Sequence, residues 1–427
     1  MIGQILQAFM YPFIFLSLYI QVLLLISFFE NKKKIKEEED QMLTEYPSVT
    51  IAVPCWNEEK TLAGTLNSLL ELSYPKDKLS IIVVDDGSTD STLSIAKKYE
   101  ALHSDQILVI TKENGGKHTA VNLALASATG ELFGCLDADS FVDTNALRII
   151  ASYFVHHKKA MAVTPCIHIR SPKTIIQRIQ AIEYLLGVFL RKAFGQLDAI
   201  QVTPGPFSIF RREIFSKIGN YRKAHNTEDY EITLRMHKNH LKIMNSHKAL
   251  VYTIGPSTFR GYFYQRLRWS RGFLENSLDY RELFFKKKYG NFGMVTLPFA
   301  FIFMFYGLYA AIFACYAGLK HYFLVIERWV LFGVNLELPT FDMFYMNTTI
   351  IGFLAMTALT MYLSMLYIAN ELSDDRQELH QNFPIFFLST PILLPLFVMI
   401  FSRAIFDTFA HRKNDWVLQD TKVVDRL

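Results

Sequence analysis

Cysteine is scarce in this chain: there are four, Cys55, Cys135, Cys166 and Cys315, in 427 residues. No two stand as C-x-x-C, and no H-E-x-x-H occurs. That argues against a structural zinc cage and against a disulfide framework. Reduced thiols in a cytoplasmic compartment fit better. No G-x-G-x-x-G follows the first apolar strand and no G-x-x-x-x-G-K-[ST] occurs, which disfavours a dinucleotide fold and an ordinary P-loop ATPase. Internal repeats and low-complexity tracts are missing too. Charge itself is missing from two long stretches, residues 1–29 and Tyr289 to Leu319.

Those uncharged stretches set the organisation. The chain is 51% hydrophobic and 20% charged, with a net charge of +4, too apolar for an average soluble protein and too charged to lie wholly in a membrane. Its length leaves room for about two or three domains. About twenty apolar residues cross a bilayer, so Phe9–Phe28 suffices for a span. The start lacks the basic residues and small-residue cleavage site of a signal peptide, and "NKKKIK" follows at 31–36. Residues 1–30 therefore read as an uncleaved anchor, its N-terminus outside and the lysines inside. Three further spans are expected within 291–410, at about 294–318, 346–370 and 384–403, the last interrupted by Pro391 and Pro395. Three full spans place the C-terminal tail, 411–427, outside, whereas "HRK" at 411–413 favours the inside; both readings stand. Between Thr258 and Lys288 eight Lys/Arg oppose three Asp/Glu, marking 256–290 as an interfacial segment. It contains "QRLRW" at 265–269, which by position alone reads as a basic, aromatic membrane flank.

Residues 45–255 alternate short apolar runs ("VTIAVP", "SIIVVDD", "QILVIT", "ELFGCLDAD", "MAVTPC") with helix-like segments. This pattern predicts a mostly parallel sheet covered on both faces, with ligands beyond the carboxyl ends of its strands. Within it, Ile175, Ile179, Ile182, Leu186, Phe189 and Ala193 recur at helical spacing, and Arg178, Arg191 and Lys192 add basic charge. In a membrane-anchored chain, 173–198 reads as an interfacial helix with this stripe turned to lipid; a core helix is the alternative.

Three acidic clusters fall at strand or helix ends. "VVDDGSTD" holds Asp85, Asp86 and Asp90; "LDADS" holds Asp137 and Asp139; "NTED" holds Thr227, Glu228 and Asp229. Each suits a turn or helix cap. Together they suggest more, because the strand period puts Asp137 and Asp139 on one side, and two close carboxylates repel unless a cation sits between them. Mg2+ or Mn2+ takes few protein carboxylates and bridges phosphates. "NGGKH" adds Gly115 and Gly116, which admit close backbone approach, and Lys117 at a helix start. Beside D-x-D this points to a diphosphate.

The ordered set "VPCWNEE", "VVDDGSTD", "NGGKHTAVNLAL", "LDADS", "GPFSIFRREIFSKIG", "NTEDYEITLRM" and "QRLRW", over about 45–285, resembles the processive family 2 glycosyltransferases. These include the synthases of cellulose, chitin, hyaluronan and poly-N-acetylglucosamine. The single N-terminal span and "QRLRWSRG" look most like the bacterial poly-N-acetylglucosamine and chito-oligosaccharide synthases. The resemblance implies an α/β GT-A domain (45–255) with a helical transmembrane region, an inverting processive β-transferase at the plasma membrane, and UDP-N-acetylglucosamine as donor. Glu58, Asp85, Asp86, Lys117, Asp137, Arg266 and Arg268 would bind donor, Asp139 the Mg2+ or Mn2+, and Asp229 would be the general base. Gly205, Phe207, Glu228, Gln265 and Trp269 would meet the acceptor. Expected partners are the UDP-sugar, the growing polysaccharide, the bilayer and a small accessory membrane protein, with no nucleic acid. The alternatives are single addition to a lipid or short acceptor, and a non-catalytic nucleotide-sugar-binding membrane protein.

Overall fold

The computed structural model describes residues 9–333, 350–373 and 377–410. The 411–427 tail and residues 346–349 of the third expected span lie outside them. The chain opens with α1 (Met10–Glu30) and α2 (Lys32–Glu39), then β1 (Val49–Cys55), α3 (Leu62–Leu70), β2 (Leu79–Asp85), α4 (Thr92–Leu102), β3 (Ile107–Thr111) and α5 (Lys117–Ser127). Next come β4 (Leu132–Cys135), β5 (Ser140–Val142), α6 (Ala146–His156), β6 (Ala160–Ile169), α7 (Ile175–Gln196), β7 (Ile209–Arg211), α8 (Ile214–Ile218), α9 (Glu228–Lys238) and β8 (Lys242–Thr253). The rest is helical: α10 (Phe259–Asp279), α11 (Leu297–Phe332), α12 (Ile350–Leu372) and α13 (Gln377–Phe409).

The strands form one sheet in the order β3-β2-β1-β4-β7-β6-β8-β5. Pairs β3–β2–β1–β4 and β6–β8 are parallel; β7 runs against both its neighbours, and β5 against β8. The mostly parallel expectation holds, with two short antiparallel insertions. All seven residues of β1 are buried, because helices cover both sheet faces and a continuous apolar run is then required. One core lies under α3 and α6, the other under α5 and α9.

Among the described residues three helices, Met10–Glu30, Phe292–Phe332 and Gly352–Leu372, are long and apolar enough to cross a membrane. A pair, Asn382–Ser389 and Leu393–Phe409, bent by 67°, forms a broken fourth span or a re-entrant loop. The chain is a membrane protein. The bend falls at the break that holds Pro391, the first of the two prolines that interrupt the sequence pattern.

Helix α7 departs from its expected exposure. Thr174 and Gln177 form a capping box at its start; Ile175 stays exposed, but the stripe from Ile179 onward is largely covered by protein instead of facing lipid. Ile179 packs with Tyr262 and Ile400, and Leu185 and Phe189 with Leu24, Phe28 and Met365. Lys192, read as part of a basic exposed face, is 1% exposed and bonds Glu39 (2.8 Å), Tyr153 (3.3 Å) and the Asn245 carbonyl (2.9 Å). Periodicity finds an apolar stripe but cannot say whether lipid or protein covers it.

Candidate active site

The carboxyl ends of the parallel strands bring the acidic clusters together. β1 and β2 finish in register, Cys55 opposite Asp85, so the Glu58 loop lies beside the two aspartates. Asp85 accepts bonds from the Ser88 amide (3.3 Å) and the Thr111 hydroxyl (3.2 Å). Asp86 accepts from Lys112 and from the amides of Gly115 (3.1 Å) and Gly116 (2.8 Å). It thereby fixes the glycine turn, whose Gly116 has φ +89°, where a side chain would be strained. Asp90 does cap: its carboxylate accepts the Thr92 amide at 2.9 Å. The turn-and-cap reading fits there, and Asp85 also bonds within its own turn, while Asp86 instead binds the glycine turn of the next loop.

Asp137 and Asp139 do not continue a strand. After Leu136 the chain turns, with the Ser140 amide donating to the Asp137 carbonyl at 2.9 Å, so strand periodicity is not what pairs them. Their proximity is real all the same. Burial, then the charge of Asp137, pushes Asp139 up to about 6. Burial, with Asp139, Asp137 and Asp90 nearby, pushes Glu58 up to about 7 against the bond from Thr61. Glu58 and Asp139, both raised, form with Asp137 an anionic pocket that a divalent cation would relieve. Among the described residues no three metal-ligating side chains converge on one point. This fits an ion held by one or two carboxylates and completed by substrate phosphates.

Lys117, the first residue of α5, joins this pocket to the start of α9. Its Nζ lies 2.5 Å from Asp137 and 3.2 Å from Glu228. Burial would lower its pKa, but Asp137 and Glu228 outweigh that and hold it well above the usual lysine value. Gly205 lies against the same ammonium: a Cβ there would come within 3.0 Å of Nζ. Lys117, Gly205, Glu228 and Asp229 line one narrow cleft. Asp229 is pushed up to about 6 by burial and then by Glu228, with Lys117 and Arg268 opposing. It is therefore ionised at neutral pH and a stronger base than an ordinary aspartate. Thr203 and Thr233 donate to its backbone carbonyl. Phe207, expected at the acceptor, is fully buried in the sheet core at φ +61°; its ring does not face the cleft.

"QRLRW" lies in mid-helix on α10, and helical geometry divides its residues between neighbouring faces. Arg268 donates to the Asn226 carbonyl at 3.1 Å, and its charge acts on Glu228 and Asp229. Arg266 does not join it. It pairs with Glu183 and lies over the rings of Tyr262 (4.9 Å) and Trp269 (4.4 Å). Two residues apart on a helix, the two arginines leave it in different directions, and the structure brings Arg266, expected at the donor, to Glu183 instead of to Glu228 and Asp229. The Gln265 side-chain oxygen is buried without a partner. Arg266, Trp269, Tyr262 and Glu183 line a cavity of about 1020 Å³ together with residues of α1, α11, α12 and α13. Sequence reading missed Glu183 and Tyr262. The one signal for Glu183 was an acid within the apolar and basic stretch 173–198.

A GT-A sheet with this carboxylate set at its strand ends defines a nucleotide-sugar-dependent glycosyltransferase. The profile described as "Glycosyl transferase family 2" matches residues 50–219. The poly-beta-1,6-N-acetyl-D-glucosamine synthase of Staphylococcus aureus is 31% identical over 293 residues, 68% of this chain and 69% of that protein. The synthase of the same name from Staphylococcus epidermidis is 31% identical over 270 residues, 61% and 63% of the two chains. The chain belongs to glycosyl transferase family 2. A mannosyltransferase from Pyrobaculum calidifontis, solved in complex with GDP-Man and Mn2+, shares the fold at a TM-score of 0.56 and 17% identity, covering 94% of this chain and 99% of its own.

Proposed function

We propose that this protein polymerises N-acetylglucosamine from UDP-N-acetylglucosamine into a β-linked polysaccharide and passes the chain outward through the cavity between its membrane helices. The observation that carries the reading is the division of α10. One face sets Arg268 beside Glu228 and Asp229; the next sets Trp269 and Arg266 in the lining of the cavity between the membrane helices. Transfer and exit thus share one rigid element. The cavity is lined by aromatic rings such as Phe13, Phe303 and Phe397, which suit the apolar C–H faces of pyranoses.

In the reaction, an acceptor hydroxyl attacks the anomeric carbon from the side opposite UDP. Asp229 takes its proton, the C1–O bond to the diphosphate breaks with its electron pair leaving on UDP, and the α-linked donor becomes a β-linked product. A base so placed contributes about 10²–10⁴-fold. Arg268 offers charge to the departing diphosphate, and Lys117 holds Asp137 and Glu228 in place around it. Mg2+ or Mn2+, when held at Asp139 beside Asp137, supplies positive charge against the developing diphosphate. Asp85, Asp86 and Glu58 border the nucleoside end. Trp269 stacks on the acceptor sugar, and Gly205 leaves room for its approach. The lysines that follow α1 support a cytoplasmic catalytic domain, held at the plasma membrane in this reading.

The test is UDP release and product length from the purified chain with a panel of UDP-sugars. UDP-N-acetylglucosamine should give the fastest release and a long polymer. One sugar added to a lipid or short acceptor would favour the second reading, for which the mostly apolar cavity lining speaks.

A further inference from the structure

Immediately before Thr227-Glu228-Asp229, three consecutive residues occupy the left-handed region: Ala224, His225 and Asn226, at φ +46°, +53° and +63°. None is glycine, and L-residues seldom adopt this conformation singly, let alone in series. Such a turn persists only where its surroundings over-determine it. Here the surroundings are one face of α10. His225 Nδ1 lies 3.0 Å from Glu275 and Nε2 2.9 Å from Asp279. Asn276 donates to the Ala224 carbonyl (3.0 Å) and to the Thr227 hydroxyl (2.8 Å). Arg268 donates to the Asn226 carbonyl. Arg271 in turn holds Glu275 at 2.6 Å. Gly272 backs Thr227 so closely that a Cβ there would meet its hydroxyl at 2.2 Å.

The same contacts explain an omission. Thr227 stands at the N-cap of α9, yet its hydroxyl makes no bond into the first helical turn. It is turned to Ala224 and Asn276 instead. The start of α9, and with it Asp229, is therefore located by α10 and not by its own cap.

We propose that His225 is a positioning residue for glycosyl transfer: by clasping Glu275 and Asp279 it locks the strained 224–226 turn to α10 and sets the Asp229 carboxylate where the acceptor hydroxyl must lose its proton. The inference rests on Asp229 being the base. It adds that the helix carrying Trp269 also holds that base, so the two cannot drift apart during successive additions. The clasp bears most directly on Asp229; Glu58, Asp85, Asp86 and Asp139 stand on other strand ends, and the clasp reaches the donor side only through Arg268 and the Lys117–Glu228 contact.

The test uses the full-length protein in detergent, with kcat, donor KM and UDP affinity measured together. His225→Ala and His225→Gly should each lower kcat by about 10-fold or more while donor KM and UDP affinity stay within about twofold, because a small misplacement of a reacting group costs up to about 10²-fold. His225→Arg, which restores a cation between Glu275 and Asp279, should regain most of the lost rate. Gly272→Ala, which displaces Thr227 from the other side, should reproduce the loss. Wild-type kcat in His225→Ala would overturn the proposal. So would a parallel loss of UDP affinity, or wild-type kcat in His225→Gly, which would leave backbone strain as the only effect. Asp229→Asn is run beside them. If that variant is active, the base assignment itself is wrong; if it is inactive while His225→Ala is normal, only the clasp is.

Discussion

Replacing Lys192 by alanine isolates the joint between the first membrane helix and the catalytic domain. Lys192 on α7 and Glu39 on α2 are both almost wholly buried and lie 2.8 Å apart. Ser246 donates to the other Glu39 oxygen at 2.7 Å, and the His247 amide and ring close the set. Burial alone would raise Glu39, but Lys192 and His247 outweigh it and hold the carboxyl well below its usual range. Removing the lysine strands a buried carboxylate. Breaking such a pair costs about 3–5 kcal/mol. The alternative, protonating Glu39 at pH 7, costs about 4 kcal/mol, since each unit above its ordinary pKa of about 4.3 is about 1.4 kcal/mol. The two figures agree. At roughly 2–4 °C per kcal/mol for a domain of this size, the melting temperature in detergent should fall by about 10 °C.

The pH dependence carries the sign. In the wild type the depressed Glu39 contributes stability that is present above its unfolded pKa and lost as pH falls through the folded one. In Lys192→Ala the carboxyl is raised, so the folded state holds the extra proton and the deficit shrinks as pH falls. The two melting curves should converge toward about pH 4. The double change Lys192→Met with Glu39→Gln should recover most of the loss, since no charge is left buried. A deficit under about 1 kcal/mol, or one that does not vary with pH, would refute the argument.

Asp139→Ala should weaken donor binding and abolish its dependence on Mg2+ or Mn2+; unchanged metal dependence of donor affinity would put the ion elsewhere. Trp269→Ala should stop polymer formation and leave UDP affinity unmoved, with Trp269→Tyr recovering part of the yield; normal polymer from the alanine variant would reduce "QRLRW" to a membrane flank. The rate should rise as pH increases through about 6, where Asp229 loses its proton, and level off above; a profile flat from pH 5 to 8 would contradict a base so perturbed.

Much of this was legible in the sequence, and the reasons differ by element. The buried strands β1 and β2 were plain because a covered parallel sheet needs unbroken apolar runs. Asp229 and Lys117 were singled out because their motifs stand at element starts, and the structure brings both to one cleft. Asp137 and Asp139 were paired for a wrong reason, since a turn and not a strand brings them together. That Phe207 lies in the sheet core and Arg266 against Glu183 was not legible, because motif membership says nothing about which way a side chain points. His225 left no trace at all: an ordinary histidine in a loop gains its partners only when α10 folds against it.

The most direct measurement is Asp229→Asn, with transfer rate and UDP affinity taken from one preparation. The amide keeps the shape of the side chain and cannot accept the proton. The account predicts transfer lowered by at least about 10²-fold with UDP binding nearly intact. A variant that keeps more than about a tenth of the wild-type rate would show that the acceptor proton leaves by another route.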